Sequence, residues 1–390
     1  MPAPFGLLLI TGNQTHQENY ARAFAADPRC RLVGLTDSPD VPTRRGELNH
    51  ELAAELEIPF FDDFDAAIRR NDVDLISICA EPERRIDLTL ACIDAGKHVY
   101  LDKDPAPVPS DAWQLADAFE QAGLLTQAFS LVRLPGCQRA KAIIESEELG
   151  DLIGLHCDIT FAKGIPGTAE LLPPRQEKAT AERFTFIDSK REFLCVGYYP
   201  LILFQWLTGQ QFESIDAVTC NYFFAEHQKN DVEDFATVML GMSGGIEATI
   251  TSGRCGWMTH RGFGIHDIRL VGTRGSVSID AHQPRIEVCS DATPWQQPAT
   301  GHPEDPMGFW SSTQASGGIA EKTDWKAIAQ VTQSDAAAFL DAIAAGQPSD
   351  VPASMAAHSV DVVHAAYQSA ATGSTVAIPQ HNSNGDAARV

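Results

Sequence analysis

No stretch of the 390-residue sequence approaches the roughly 20 consecutive apolar residues that a membrane-spanning helix needs. The N-terminal residues also lack a basic stretch followed by a signal-like apolar core, so the expectation is a cytoplasmic protein with no membrane partner. Positive charge is scarce. Lys and Arg number 29 against 52 Asp and Glu, a net charge of −23, which argues against nucleic acid or an anionic membrane surface as partner. The nine cysteines never form a C-x-x-C pair, so neither a zinc site nor a disulfide framework is signalled. They read as small buried hydrophobes, and no metal site is expected. Low-complexity tracts and internal repeats are missing too. With 44% hydrophobic and 21% charged residues over this length, a globular chain of two domains is the natural expectation.

The first third alternates short apolar runs with helical patterns, as a doubly wound α/β domain with a parallel sheet does. Strands are expected at Leu7–Thr11, at "RLVGLTD" ending on Asp37, at Pro59–Phe61, at Val73–Ala80, at "HVYLD" and at "LLTQAF". Val73–Ala80 is almost continuously apolar, which suits a strand covered on both faces. From residue 133 the chain changes to β-rich segments such as "LIGLHCDITFA", "DFATVMLGM", "GIEATITSG" and "HDIRLVGT", the pattern of a large, mostly antiparallel open sheet in an α+β domain. The expected organisation is a Rossmann-type nucleotide-binding domain over 1–132, a substrate and oligomerisation domain over 133–380 and a frayed tail over 381–390. Residues 290–322 are rich in Pro, Gly and Ser and read as a surface insertion.

Four segments in order, "AGKHVYLDKDPAP", "GYYPLILFQWLTG", "RLVGTRGSVSID" and "FLDAIAAGQPSDVP…VVHAAYQSAATGSTVAIP", give the chain a resemblance to the Gfo/Idh/MocA oxidoreductases, which include glucose-fructose oxidoreductase and inositol dehydrogenase. The resemblance implies a Rossmann domain joined to an open sheet domain and NAD or NADP as cofactor. It also implies a sugar, polyol or related hydroxylated substrate, and a homodimer or homotetramer built through the C-terminal sheet. An exposed apolar sheet face needs such a cover.

A dinucleotide fingerprint uses three glycines, for a tight turn, for close approach of backbone to the pyrophosphate and for packing helix on strand. In "LLLITGNQTHQENYARAF" the corresponding positions are Gly12, Gln14 and Gln17, so one glycine remains. Gly12, Asn13, Gln14 and Thr15 are the candidate phosphate-binding residues, with the helix N-terminus favouring an anion. Asp37, 25 residues after Gly12, stands where an acid accepts hydrogen bonds from the adenosine ribose. That tilts the expectation toward NAD, although Arg44 and Arg45 lie close enough in sequence to suit NADP. The resemblance also assigns Pro82 to the cofactor site and places Arg85 where relatives carry a histidine.

By the same resemblance, Asp102-Lys103-Asp104-Pro105 stands in place of the family's Glu-Lys-Pro, with Lys103 beside the nicotinamide and the reacting carbon. The Asp-x-Gly-x-His branch is excluded, because those positions read Cys195, Gly197 and Tyr199. "GYYP" resembles the branch that uses a tyrosine, so Tyr199 is the candidate for exchanging the substrate's hydroxyl proton. Arg133, Lys190, Arg191, His260 and His266, with Glu192 and Arg261 beside them, are candidate substrate contacts. Two other readings stay open: a silent relative that binds a carbohydrate-like ligand or a protein, and redox-neutral sugar chemistry on a trapped cofactor.

Overall fold

The computed structural model of the chain describes residues 3–161, 167–173, 175–181, 183–186, 188–255, 264–280, 285–290, 311–314, 321–326 and 334–381. It divides into two compact units, Met1–Ser130 with Gln333–Val360, and Leu131–Thr332 with Asp361–Val390.

The first unit holds a parallel sheet of strands β1 (Phe5–Ile10), β2 (Cys30–Thr36), β3 (Phe60–Phe61), β4 (Leu75–Ile78), β5 (His98–Leu101) and β6 (Thr126–Ala128) in the order 3-2-1-4-5-6. Between them run helices α1 (Gln17–Ala25), α2 (Thr43–Glu55), α3 (Phe64–Ile68), α4 (Pro82–Asp94) and α5 (Pro109–Ala122). Successive side chains of a strand point to opposite faces. Leu8, Ile10, Ile76 and Ile78 therefore pack with Leu88 of α4 and Phe119 of α5, while Leu7, Leu9 and Leu75 pack with Phe24 of α1 and Leu52 of α2. Strand order reverses between β1 and β4, and ligands of such sheets bind at the carboxyl ends of strands at that reversal.

The stretch 334–360 belongs to this unit, where reading by chain order places it in the second domain. Phe339 and Leu340, on the helix Asp335–Ala345, complete the cluster around Leu7 and Leu9. Tyr100 Oη and Gln127 Nε2 donate to the Asp335 carboxylate at 2.8 and 3.1 Å, and Val351 N–H donates to Gln127 Oε1 at 3.2 Å. Burial of one sheet face requires a late segment of chain, a demand that periodicity within 334–360 cannot express.

The second unit begins with α6 (Pro135–Glu145) and β7 (Leu152–Phe161). A π-helical turn, Phe193–Gly197, then runs straight into α7 (Tyr198–Thr208), and a short helix α8 (Ala225–Asn230) lies between two strands. The other strands are β8 (Phe212–Cys220), β9 (Phe235–Met242), β10 (Ile246–Arg254), β11 (Gly264–Gly272), β12 (Gly275–Asp280), β13 (Arg285–Ser290), β14 (Ser311–Gln314), β15 (Glu321–Lys326) and β16 (Val376–Ala377). They form one sheet in the order 14-15-13-12-11-7-10-9-8-16, in which β7 and β10 are the parallel pair and the remaining pairs are antiparallel. Leu155, Cys157, Ile159, Ala248, Ile250 and Ser252 are buried, whereas Ile153, Val218 and Met239 are exposed. Within 290–322, expected to be a surface insertion, β14 and the start of β15 pair as strands. Ladder bonds are made by backbone, so a Gly- and Ser-rich composition does not forbid them. The rest of that stretch, and residues 382–390 of the expected tail, lie outside the described residues. In chain order Asp335–Ala345 is α9 and Ala353–Thr372 is α10.

Candidate functional site

Beyond the carboxyl end of β1 the chain turns through Thr11 and Gln14, both with left-handed backbone (φ 72° and 59°). Each such non-glycine residue costs on the order of 1–2 kcal/mol, and strain of this kind collects at functional sites. Gly12 is required for a different reason. A Cβ there would stand 2.6 Å from Asn49 Cα and 2.7 Å from the Leu48 carbonyl oxygen, so only glycine lets the loop lie on α2. Gly12 N–H donates to Asn49 Oδ1 at 2.8 Å and Asn13 N–H to the Leu48 carbonyl at 3.2 Å. These two amides face α2, contrary to the expectation that all four residues from 12 to 15 point at a phosphate. The amides of Gln14 and Thr15 have no acceptor among the described residues, and exposed Gln14 carries its side chain into solvent. Two amides ahead of α1 with no acceptor among the described residues could hold a diphosphate, so the altered loop fits a dinucleotide.

Gln17 explains how the third glycine is dispensed with. It is fully buried, its Nε2 donating to the carbonyls of Ile10 (3.2 Å) and Ser77 (2.9 Å) while Oε1 accepts from Ser77 Oγ (2.7 Å). The amide thus joins the carboxyl ends of β1 and β4, adding a second donor to the Ile10 carbonyl, which also accepts from Cys79 N–H at 3.2 Å, and pairing the buried Ser77 hydroxyl. Cys79, following β4, lies against His16 N–H and the Thr15 hydroxyl, and burial pushes its thiol well up.

Asp37 does not present itself as the sequence suggests. Its carboxylate is 1% exposed, accepting from Ser38 N–H (2.9 Å), Asn49 Nδ2 (2.9 Å) and the Arg84 guanidinium. Enclosed this way, it no longer favours NAD over NADP. Arg44 pairs outward with Glu47 and Glu51, whereas Arg45 lies over the loop with Nη1 2.6 Å from the Asn13 carbonyl. Pro82 takes the first position of α4, where its missing N–H leaves no bond unmade.

After β5, the loop carrying Lys103 is held from beneath by Arg85. This buried guanidinium donates to the carbonyls of Ala80 (2.7 Å), Lys103 and Asp104 (2.5 Å) and to Asp102 Oδ2 (3.0 Å). Asp104 has left-handed backbone (φ 59°), and Lys103 is itself buried, with Nζ 3.9 Å from Asp104 Oδ2. Asp102 Oδ1 receives His16 Nδ1 at 2.9 Å and the Tyr20 hydroxyl at 2.7 Å. Burial raises the Asp102 pKa, but the charges of Arg85, His16 and Lys103 outweigh it and hold the carboxyl far below the usual range. One ionised carboxylate therefore ties the start of α1 to the loop after β5.

In the second unit Tyr199 sits in the first turn of α7, nearly buried, its ring edge-on to Phe161 at 6.1 Å. The preceding π-turn is a feature that recurs at functional sites. It packs on β10, because a Cβ at Gly197 would stand 2.5 Å from the Phe193 ring and 3.2 Å from Ser252 Oγ. Arg191, expected to touch substrate, is instead part of a buried ion cluster. It reaches Glu233 Oε2 at 2.9 Å and Glu177 at 3.4 Å and stacks over the Tyr367 ring. Arg175 and the Thr219 hydroxyl also donate to Glu177, while the Tyr367 hydroxyl (2.7 Å) and Phe193 N–H (3.3 Å) donate to Glu233. The cluster anchors the start of the π-turn and leaves Arg191 no contact to offer a ligand. Lys190 is exposed, Arg133 half-buried and His266 fully buried on β11 opposite Ile159. His260, with Arg261, lies outside the described residues.

Glu192, a candidate substrate contact by sequence, is engaged by protein groups, one of which, Arg254, escapes a reading by sequence. Glu192, buried, holds Oε1 3.0 Å from Arg254 Nε and 3.4 Å from His227 Nε2. Burial pushes the Glu192 carboxyl up, but the His227 hydrogen bond and the charges of Arg254, His227 and Lys190 leave it below its ordinary value. Only the strand-end position of Arg254 in "ITSGR" could have drawn attention to it. Among the described residues no three His, Cys, Asp or Glu side chains gather as metal ligands would.

Comparison with known proteins covers both units. Residues 8–129 match the model of the oxidoreductase family with an NAD-binding Rossmann fold, and residues 137–278 match the GFO/IDH/MocA C-terminal domain. The dTDP-3,4-didehydro-2,6-dideoxy-alpha-D-glucose 3-reductase of Streptomyces violaceoruber is 25% identical over 265 residues, 66% of this chain and 67% of that protein. The levoglucosan dehydrogenase of Pseudarthrobacter phenanthrenivorans is 26% identical over 145 residues, 35% of this chain and 36% of its own length. The crystal structure of an oxidoreductase domain protein from Kribbella flavida superimposes with a TM-score of 0.72 at 17% identity, covering 97% of this chain and 100% of that one, a likeness of fold.

Proposed function

The chain belongs to the GFO/IDH/MocA oxidoreductases, and on that premise we propose that it is a cytoplasmic enzyme moving a hydride between NAD or NADP and a hydroxyl-bearing carbon of a sugar- or polyol-like molecule. The observation that carries the reading is the loop at 11–17. It keeps two strained left-handed residues and leaves the amides of Gln14 and Thr15 without an acceptor among the described residues, which supports an anion as their partner. A bound nicotinamide supplies the hydride acceptor or donor. The amides of Gln14 and Thr15 hold its diphosphate. Lys103, fixed by Arg85, hydrogen-bonds the reacting oxygen, and Tyr199 exchanges the hydroxyl proton. The sugar named in the Streptomyces relative supports a carbohydrate-like substrate.

The test is calorimetric titration with NAD+, NADH, NADP+ and NADPH, after denaturation and mass spectrometry have shown whether nucleotide is already held. One redox couple should bind at micromolar Kd or be found trapped. Tyr199→Phe should then lower turnover about 10²- to 10⁴-fold with nucleotide affinity unchanged. If none of the four binds and none is retained, the oxidoreductase reading falls and a silent ligand-binding protein takes its place.

A further inference from the structure

Most guanidiniums buried in this molecule have their donors engaged by the protein. Arg85 faces three carbonyls and a carboxylate, and Arg191 lies between two carboxylates and an aromatic ring. Arg254 is different. Its side chain is 25% exposed, its Nε rests 3.0 Å from the buried Glu192, and no described residue accepts from its two terminal amino groups.

The backbone holds Arg254 firmly. Its N–H donates to the Asp234 carbonyl at 2.7 Å. A Cβ at the preceding Gly253 would stand 2.2 Å from that same carbonyl oxygen, so glycine alone allows β10 to close on β9 there. Register places Arg254 directly beside Phe161 on the parallel neighbour β7. Paired residues share a sheet face with Cβ atoms about 5 Å apart. Phe161 in turn meets the Tyr199 ring. Further buried polar atoms nearby, Glu192 Oε2 and Ser252 Oγ, also lack a protein partner. A guanidinium paired to a buried carboxylate, with no acceptor for its terminal amino groups among the described residues and near the tyrosine assigned to proton exchange, has the form of an anion-reading group.

We infer that Arg254, oriented by Glu192, receives a carboxylate or phosphate group of the substrate, so that this protein acts on an acidic sugar derivative rather than a neutral sugar. The inference rests on the proposed function for its setting beside Tyr199, but not for its test. Glu192 is a positioning residue: its carboxylate, 3.0 Å from Nε, holds the guanidinium as an ion pair.

Binding and turnover are measured separately. The protein, with and without saturating nucleotide, is titrated calorimetrically with D-glucose and D-galactose and with D-glucuronate, D-galacturonate and D-glucose 6-phosphate, and the set is screened for nicotinamide reduction. At least one anionic sugar should bind about 10- to 100-fold more tightly than its neutral counterpart, the range of a charge-assisted hydrogen-bonded pair. Preference for uronates or for the phosphate identifies the group. Arg254→Met should erase the preference with nucleotide affinity unchanged, and Arg254→Lys should keep part of it. Equal or tighter binding of neutral sugars, no binding of any anion, or a preference surviving in Arg254→Met overturns the inference. Failure to bind nucleotide overturns only the proposed function, because the nucleotide-free titration still decides the role of Arg254.

Discussion

The loop at residues 11–17 and the turn at residues 191–199 are held in place by different means. In the first unit the loop is held chiefly by neutral groups, the Gln17 and Asn49 amides, strand-end carbonyls and one glycine, with Arg45 on the Asn13 carbonyl and Asp102 on His16 as charged contacts at its edge. In the second unit Arg175, Glu177, Arg191 and Glu233 are drawn from separate segments and neutralise one another out of water. The difference is in tolerance. A loop held this way keeps its turn with glutamine at two of the three glycine positions, because Gln14 adopts the left-handed backbone and Gln17 is buried against the strand ends. A site built on buried charges depends on every member, since removing one leaves another uncompensated.

The largest expected effect breaks the charged region. Arg191→Met leaves Glu177 and Glu233 facing each other with one cation fewer and should cost about 3–5 kcal/mol in chemical denaturation. A loss below about 1 kcal/mol would mean that water or protonation already relieves the cluster. Gln17→Ala probes the neutral region: it strands the buried Ser77 hydroxyl and takes one donor each from the carbonyls of Ile10 and Ser77, for a loss of about 2–3 kcal/mol. Were Gln17→Ala as costly as Arg191→Met, the contrast between the two regions would fail. The smallest change is Gln14→Gly, which relieves left-handed strain at an exposed residue and should stabilise by about 0.5–1 kcal/mol. Nucleotide affinity should stay within twofold of the parent, because the amide at 14 is kept. A destabilised Gln14→Gly would show that the Gln14 side chain holds the loop.

Much of the first unit was legible. Apolar runs mark β1, β2, β4 and β5, and strand-end positions place the loop at Gly12, Asp37 and Lys103 on one edge of the sheet. Asp37 was misjudged because its role depends on Arg84, 47 residues away, which closes on it. Arg191 was misjudged for the same kind of reason, its partner Glu233 lying 42 residues on. A charged residue in sequence carries no mark of whether a counter-charge will meet it.

Period and turn chemistry by themselves determined that this chain builds a parallel sheet followed by an open one, with a turn at Gly12 and a lysine beyond β5. Those are local properties, set by which side chains can face a core and which residues can turn. Only the tertiary structure decided which polar groups are engaged and which stay available. It enclosed Asp37 and Arg191, set Gln17 across two strand ends and left the terminal amino groups of Arg254 without an acceptor among the described residues. The reason is physical: a buried donor or charge is stable only beside its partner, and the fold alone brings that partner within 3 Å or leaves the place for a ligand.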